Sequence, residues 1–237
     1  MSHIHIPDGV LPLWLWASGW IVALVLVGVA GRLAERHEMR RKVPLLGVLA
    51  ALMLVAMSSE IVPLAYHINL AVVAGVLLGP ALAVIAAFIV EVVLAMLGHG
   101  GVTVLGLNTV VLSLEMVAGW ALFRLLVGLL TRRRAGLAAG VATVLALAIS
   151  TTAMVGVVWM GSATGATEIG EATVGPGLSV ARFAAVVYTL GPIGWLIEAL
   201  VTAGILGYVA RVRPTLVFAG ALRETTRHLP GDEAGGL

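Results

Sequence analysis

The sequence predicts an all-α, polytopic membrane protein of about seven transmembrane helices, and three observations carry that reading. Of 237 residues, 60% are hydrophobic and 11% charged, against about 25% charged in a water-soluble domain. The apolar residues run in long unbroken stretches, as spanning helices require, and not in the alternation of barrel strands. The 29 glycines suit helices that approach closely in lipid.

The elements follow in order. Leu11 to Gly31 is a first span, with Trp14, Trp16 and Trp20 near its start in the manner of an interfacial belt. No basic stretch precedes it, so the opening does not read as a secretory signal. Arg32 to Lys42 reads as a polar loop. Val43 to about Ile61 is a second span, closed by Ser58-Ser59-Glu60 and Pro63. Tyr66-His67-Ile68-Asn69 leads into a third segment that stops at Gly79-Pro80. That segment is too short for an upright crossing at about 1.5 Å per residue, which predicts a tilted or partly re-entrant course. Ala81 to Leu97 is the fourth span, Val104 to Leu130 the fifth, Gly136 to Met160 the sixth, and Val180 to about Ala210 the seventh. The expected organisation is therefore a metal-binding N-terminal segment at 1–10, a helical body at 11–210 and a polar tail at 211–237, disordered in part from Pro230 onward.

Charge sets the expected orientation. With the N-terminus outside and the C-terminus cytoplasmic, every Lys and Arg of the 14 except Arg182 falls on the inner side, the positive-inside pattern. This topology predicts the plasma membrane as the location, in multi-pass form. It also places His3, His5, His67 and His99 on the outer side, leaving His37 and His228 within. A single histidine at a helix end is more often a satisfied interfacial residue than a ligand. Four of the six histidines on one face, two of them in a tripeptide, favour a metal site. Without cysteine there is no thiolate, so ligands must be N and O donors. A free terminal amine, the next amide and a nearby imidazole can form fused chelate rings around a square-planar ion, which favours Ni(II) or Cu(II) over Zn(II). His67 could complete the plane.

Three blocks now matter together: His5-Ile6-Pro7-Asp8-Gly9-Val10-Leu11; Tyr66-His67-Ile68-Asn69-Leu70 leading to Gly75 and Leu78-Gly79-Pro80; and Gly98-His99-Gly100-Gly101-Val102-Thr103-Val104-Leu105-Gly106-Leu107-Asn108. In this order they resemble the substrate-specificity (S) components of cobalt/nickel energy-coupling factor (ECF) transporters, the CbiM/NikM family, over at least residues 5 to 125. The resemblance implies a seven-helix S component that captures a divalent transition metal outside the cell as transported substrate. It implies as partners an ECF transmembrane coupling protein and ATPase subunits, and leaves open a small accessory membrane subunit. In the family the metal is held by the terminal amine, by the second residue's backbone nitrogen and imidazole, and by the histidine matching His67.

The chain departs from that pattern twice. The family starts Met-His, whereas here four residues precede His5. Removal of Met1 ahead of the small Ser2 would give a chain beginning Ser2-His3 and restore histidine at position two. Retention would let Met1-Ser2-His3 supply an amine, two amides and an imidazole. A third arrangement uses only imidazoles, from His3, His5, His67 and His99, in a tetrahedral site suited to Co(II) or Zn(II). The second departure is His99 where the family usually has Asp, as a fourth ligand or a group supporting one. Asn69 and Asn108 are expected to brace the loops. Glu91, Glu115 and Glu198 lie within spans, where ionised groups are costly and face the bundle interior. They read equally as a metal or proton path or as interhelical hydrogen-bonding groups. Ala30 and Ala34 offer a small-residue face for the coupling protein.

Other function classes are less well served. The chain holds no G-x-x-x-x-G-K-S/T, so ATP hydrolysis must come from partners, and the protein is not expected to be an enzyme. An intramembrane metalloenzyme would need a general base beside an open metal position, and no H-E-x-x-H occurs. An ion-coupled secondary transporter would suit the buried glutamates but usually shows internal repeats, which are absent. No basic patch interleaved with aromatics points to nucleic acid.

Overall fold

A computed structural model describes residues 6, 8, 9, 11–34, 36–59, 67–163 and 180–218. Its described residues form α1 (Leu13–Leu33), α2 (Arg36–Ser58), α3 (Ala71–Leu78), α4 (Pro80–Met96), α5 (Leu105–Leu130), α6 (Ala135–Ala163) and α7 (Val180–Val212), with a single 3-10 turn at Arg132–Arg134. Five of these are long and apolar enough to cross a membrane, and Pro80–Met96 is a shorter apolar helix. The protein is a multi-pass helical membrane protein.

α2 begins seven residues earlier than the polar loop expected at Arg32 to Lys42 would allow, because Arg, Glu, Met and Lys are good helix formers. The charged turns simply continue the helix beyond its apolar part, and Pro44 marks the junction. At the other terminus, α7 runs through Arg211 to Val212, and Val217 and Phe218 of a short helical stretch at 214–218 are buried against the core. Packing among the described residues extends to residue 218.

α3 is the centre of the arrangement. All eight of its residues are buried, as expected of a helix that is apolar all round. It packs chiefly on α5, then on α4 and α2, with lesser contacts to α6 and α7. Contact with α5 is intimate: a Cβ on Gly75 would stand 2.2 Å from the Met116 carbonyl oxygen, so only glycine fits. Eight residues span about 12 Å, under half of a bilayer core of about 30 Å. α3 is entered from non-helical chain at 67–70. Irregular backbone at membrane depth survives only where protein satisfies its polar groups, and that requirement explains the buried carboxylates described below.

α1 and α5 meet over a similar close approach. A Cβ on Gly106 would lie 2.5 Å from the Trp20 nitrogen, and one on Gly19 would lie 2.3 Å from Leu107 Cγ. α2 is tied to α3 by the Lys42 ammonium, which donates to the Leu78 carbonyl at 2.9 Å, a cation set at a helix C-terminus where the dipole favours it. Since Lys42 is near the start of α2 and Leu78 ends α3, the end of α2 at Ser58 and the start of α3 at Ala71 lie at the opposite end of the bundle. Loop 97–104, after α4, lies at that same opposite end.

Candidate functional site

The N-terminal segment is docked onto this end of the bundle at two points. Ile6 is buried in a small apolar cluster with Leu11, Leu15, Val104, Leu107, Val111 and Met154. Its backbone is read by one side chain: the Ile6 amide donates to Asn108 Oδ1 at 3.2 Å, and Asn108 Nδ2 donates to the Ile6 carbonyl at 3.3 Å. Asn108 supplies both partners that buried backbone needs, from the first turn of α5. Two residues on, the Asp8 carboxylate accepts from the amides of Val102 at 2.9 Å and Thr103 at 2.8 Å, and from the Thr103 hydroxyl. A Cβ on Gly101 would fall 2.2 Å from Asp8 Oδ1, so this glycine makes room for the carboxylate. Burial works to raise the Asp8 pKa, but hydrogen bonds from the Thr103 hydroxyl and the amides of Thr103, Val102 and Val104 outweigh it and hold the group below its ordinary 3.8. Thr103 is itself anchored, its carbonyl accepting from Trp20 Nε1 at 2.9 Å.

The second half of the site is the chain segment that carries His67. Asn69, two residues further, is fully buried. Its Nδ2 donates to Glu115 Oε1 of α5 at 2.6 Å, and its Oδ1 accepts from the Ala71 amide at 2.8 Å, opening α3. Glu115 accepts again from Ser150 Oγ of α6 at 2.9 Å. Glu198 Oε1 of α7 takes the amides of Asn69 at 3.2 Å and Leu70 at 3.0 Å. Leu70 has φ +57°, a left-handed conformation that a non-glycine side chain resists by about 1–2 kcal/mol. Three helices thus clamp the segment through two carboxylates, holding a strained residue in place.

His67 and His99 are both half-buried. His99 belongs to the loop that receives Asp8, and its amide is bonded to the Leu94 carbonyl at 2.9 Å. Met1, Ser2, His3 and His5 lie outside the described residues, as does His228. Among the described residues, no three His, Asp or Glu side chains gather as a metal-binding group. Asn69 and Asn108 brace the two loops, and Glu115 and Glu198 bond across helices. Sequence reasoning gave no role to Ser150, Thr103 or Gly101. For Thr103 and Gly101 the one signal was the glycine-rich run Gly98–Thr103, whose backbone can approach a side chain closely.

The sequence profile of the family described as "Cobalt uptake substrate-specific transmembrane region" matches residues 5–216. A candidate cobalt transport protein CbiM of Halobacterium salinarum is 34% identical over 227 residues, covering 90% of this chain and 96% of its own. A candidate metal transport protein of Haloquadratum walsbyi is 33% identical over 220 residues, covering 91% and 94%. A crystal structure of a transition metal transporter superposes with a TM-score of 0.75, covering 93% of this chain and 100% of that one. A truncated transition metal transporter gives 0.68, covering 88% and 99%. Both structures are 20% identical to this chain and speak for the fold.

Proposed function

The chain belongs to the CbiM family of cobalt-uptake substrate-specific transmembrane proteins, and from that premise we propose that it is the metal-capturing S component of an ATP-driven ECF transporter. Its substrate is a divalent transition metal, cobalt or nickel, with zinc as a lesser fit. The metal is held between the N-terminal segment and His67. Candidate ligands are the terminal amine and amide of Met1 or Ser2, the imidazoles of His3 and His5, and His67, with His99 as a further imidazole on the adjoining loop.

The single observation that carries this reading is the seating of Ile6 and Asp8. A terminal segment held by Asn108 and Thr103 works as a lid, and the residues just ahead of it are the ones rich in nitrogen donors. The clamp on Asn69 and Leu70 supports the same reading, since it fixes the backbone two residues from His67 and prepays the ordering of a ligand. Such order matters because metal ligands shifted by a fraction of an ångström lose affinity.

With no nucleotide-binding motif in the chain, energy comes from ATPase subunits through a coupling protein. Ala30 and Ala34 line an apolar groove of about 450 Å³ with Leu33, Leu78, Gly79 and Pro80, a surface suited to a partner helix. Two of the buried glutamates that would serve an ion-coupled carrier, Glu115 and Glu198, are engaged in holding chain segments.

The decisive test is calorimetric titration of the purified protein with Ni(II) and Co(II), beside uptake assays with and without the ATPase subunits. His67→Ala should lose high-affinity binding, and uptake should require the ATPases. Undiminished affinity in His67→Ala would remove the site as drawn. Uptake by the chain alone would instead favour ion coupling.

A further inference from the structure

The opposite end of the bundle holds a cavity of about 960 Å³ that metal capture does not use. Arg132, Arg133 and Arg134 of the 3-10 turn and Arg211 near the end of α7 line it. No Asp or Glu is among its lining residues within the described part of the chain. Its floor is made of small residues where α6 and α7 touch: a Cβ on Gly136 would stand 2.9 Å from the Ala203 carbonyl oxygen. Its flank is apolar, with Leu137, Tyr208 and Phe218. The Arg132 guanidinium sits 5.3 Å from the centre of the Phe218 ring, a cation–π contact that holds it at the polar–apolar border.

We propose that this cavity binds the phosphodiester headgroup of an anionic phospholipid. Four guanidiniums, with no carboxylate among the described lining residues, call for an anion, and the planar guanidinium fork matches phosphate oxygens. The volume is far more than a lone oxyanion needs, and most of its wall is apolar. It lies at the ends of α6 and α7, two helices long and apolar enough to cross a membrane, with Tyr208 largely exposed at 67% as an interfacial anchor. Basic pockets between transmembrane helices recognise acidic headgroups in this way. The proposal needs only that the chain spans a bilayer, and is independent of how metal is bound.

The test uses the full chain in phosphatidylcholine nanodiscs doped with spin-labelled phosphatidylglycerol or spin-labelled phosphatidylcholine. The motionally restricted fraction gives the relative association of the two lipids. The anionic lipid should be favoured. The double variant Arg132→Gln, Arg133→Gln should lower that preference by roughly fivefold for each guanidinium that reaches the phosphate. The double variant Arg40→Gln, Arg41→Gln removes the same charge from the exposed start of α2, at the same end of the molecule, and should leave the preference within about twofold. If the first pair does not reconstitute, Arg133→Gln alone supports the same comparison. Equal losses in both pairs, or a loss in neither, would overturn the site. Displacement of the labelled lipid by millimolar inorganic phosphate, but not by chloride of equal ionic strength, would overturn the lipid and assign a soluble oxyanion instead.

Discussion

The Asp8 carboxylate takes the backbone amide of Thr103 at 2.8 Å, joining positions 95 residues apart. The bond fastens the start of the chain to the loop ahead of α5, and Gly101 is the residue that lets the carboxylate approach. Asp8→Ala and Gly101→Ala should therefore produce the same defect by different routes, one deleting the acceptor and the other filling its place. Each should speed metal loss by roughly tenfold, allowing for solvent screening of an exposed carboxylate. The double variant should be hardly worse than either single one, as coupled neighbours behave. Stopped-flow release of metal into a chelator measures all three. Additive losses would separate the two residues.

The same latch has a sign with pH. Asp8 is held below its ordinary pKa of 3.8 when docked, so its contribution is fully present above the undocked value and is lost as pH falls through the docked one. Docking of the N-terminal segment should be unchanged from neutrality down to about pH 5 and weaken only in stronger acid. Limited proteolysis of the N-terminus across that range reports it. Loosening near neutrality would mean that another group controls docking.

Asn108 satisfies the amide and the carbonyl of Ile6 with one side chain. Asn108→Asp keeps the acceptor but loses the donor and sets a carboxylate oxygen against the Ile6 carbonyl. Asn108→Leu leaves both backbone groups buried without partners, at about 1–3 kcal/mol. Thermal unfolding should rank the variants wild type, then Asp or Leu, both lower by several degrees. Melting temperatures equal to wild type would show that Ile6 is held by its apolar cluster alone.

The helices were legible because lipid demands long apolar runs, and α1, α4, α5, α6 and α7 fall within a few residues of the stretches that announce them. The ends were less so. Arg36 to Lys42 continues a helix because charged residues are good helix formers, and hydropathy reports only the apolar part. The short third segment was visible, but its completion was not. Nothing local in Glu115 or Glu198 indicates that they converge on Asn69 and Leu70 from 46 and 128 or more positions away; that is a property of the packing. The candidate site divides in the same way. His67, His99, Asn69 and Asn108 could be named from their blocks, whereas the receptor for Asp8 emerged only when Val102 and Thr103 turned their amides to it.

Glu198 offers a sharper test of the clamp, because shape and charge can be varied separately. Its Oε1 accepts the amides of Asn69 and Leu70, a role that an amide oxygen also fills. Glu198→Gln should hold metal within about threefold of wild type, while Glu198→Leu strands two buried donors at about 1–3 kcal/mol each and should lose metal affinity by tenfold or more. Titration of each variant, with circular dichroism as a check on the fold, measures the difference. If leucine performs as well as glutamine, the segment bearing His67 is not held by this residue.

Metal capture itself should follow the chemistry of nitrogen ligands. Imidazoles and an amine bind a cation only when deprotonated, so protons compete with metal at each of them. Affinity should fall continuously as pH drops from about 8 to about 5, through the amine range and then the imidazole range. This decline occurs well above the pH at which the Asp8 latch opens, so the two processes separate on one pH axis. Between about pH 7 and pH 5 the N-terminal segment should stay protected from protease while metal affinity falls. A site built from carboxylates would behave in the opposite way, holding its metal across that interval. Parallel measurement of affinity and protection therefore distinguishes loss of ligands from loss of the lid.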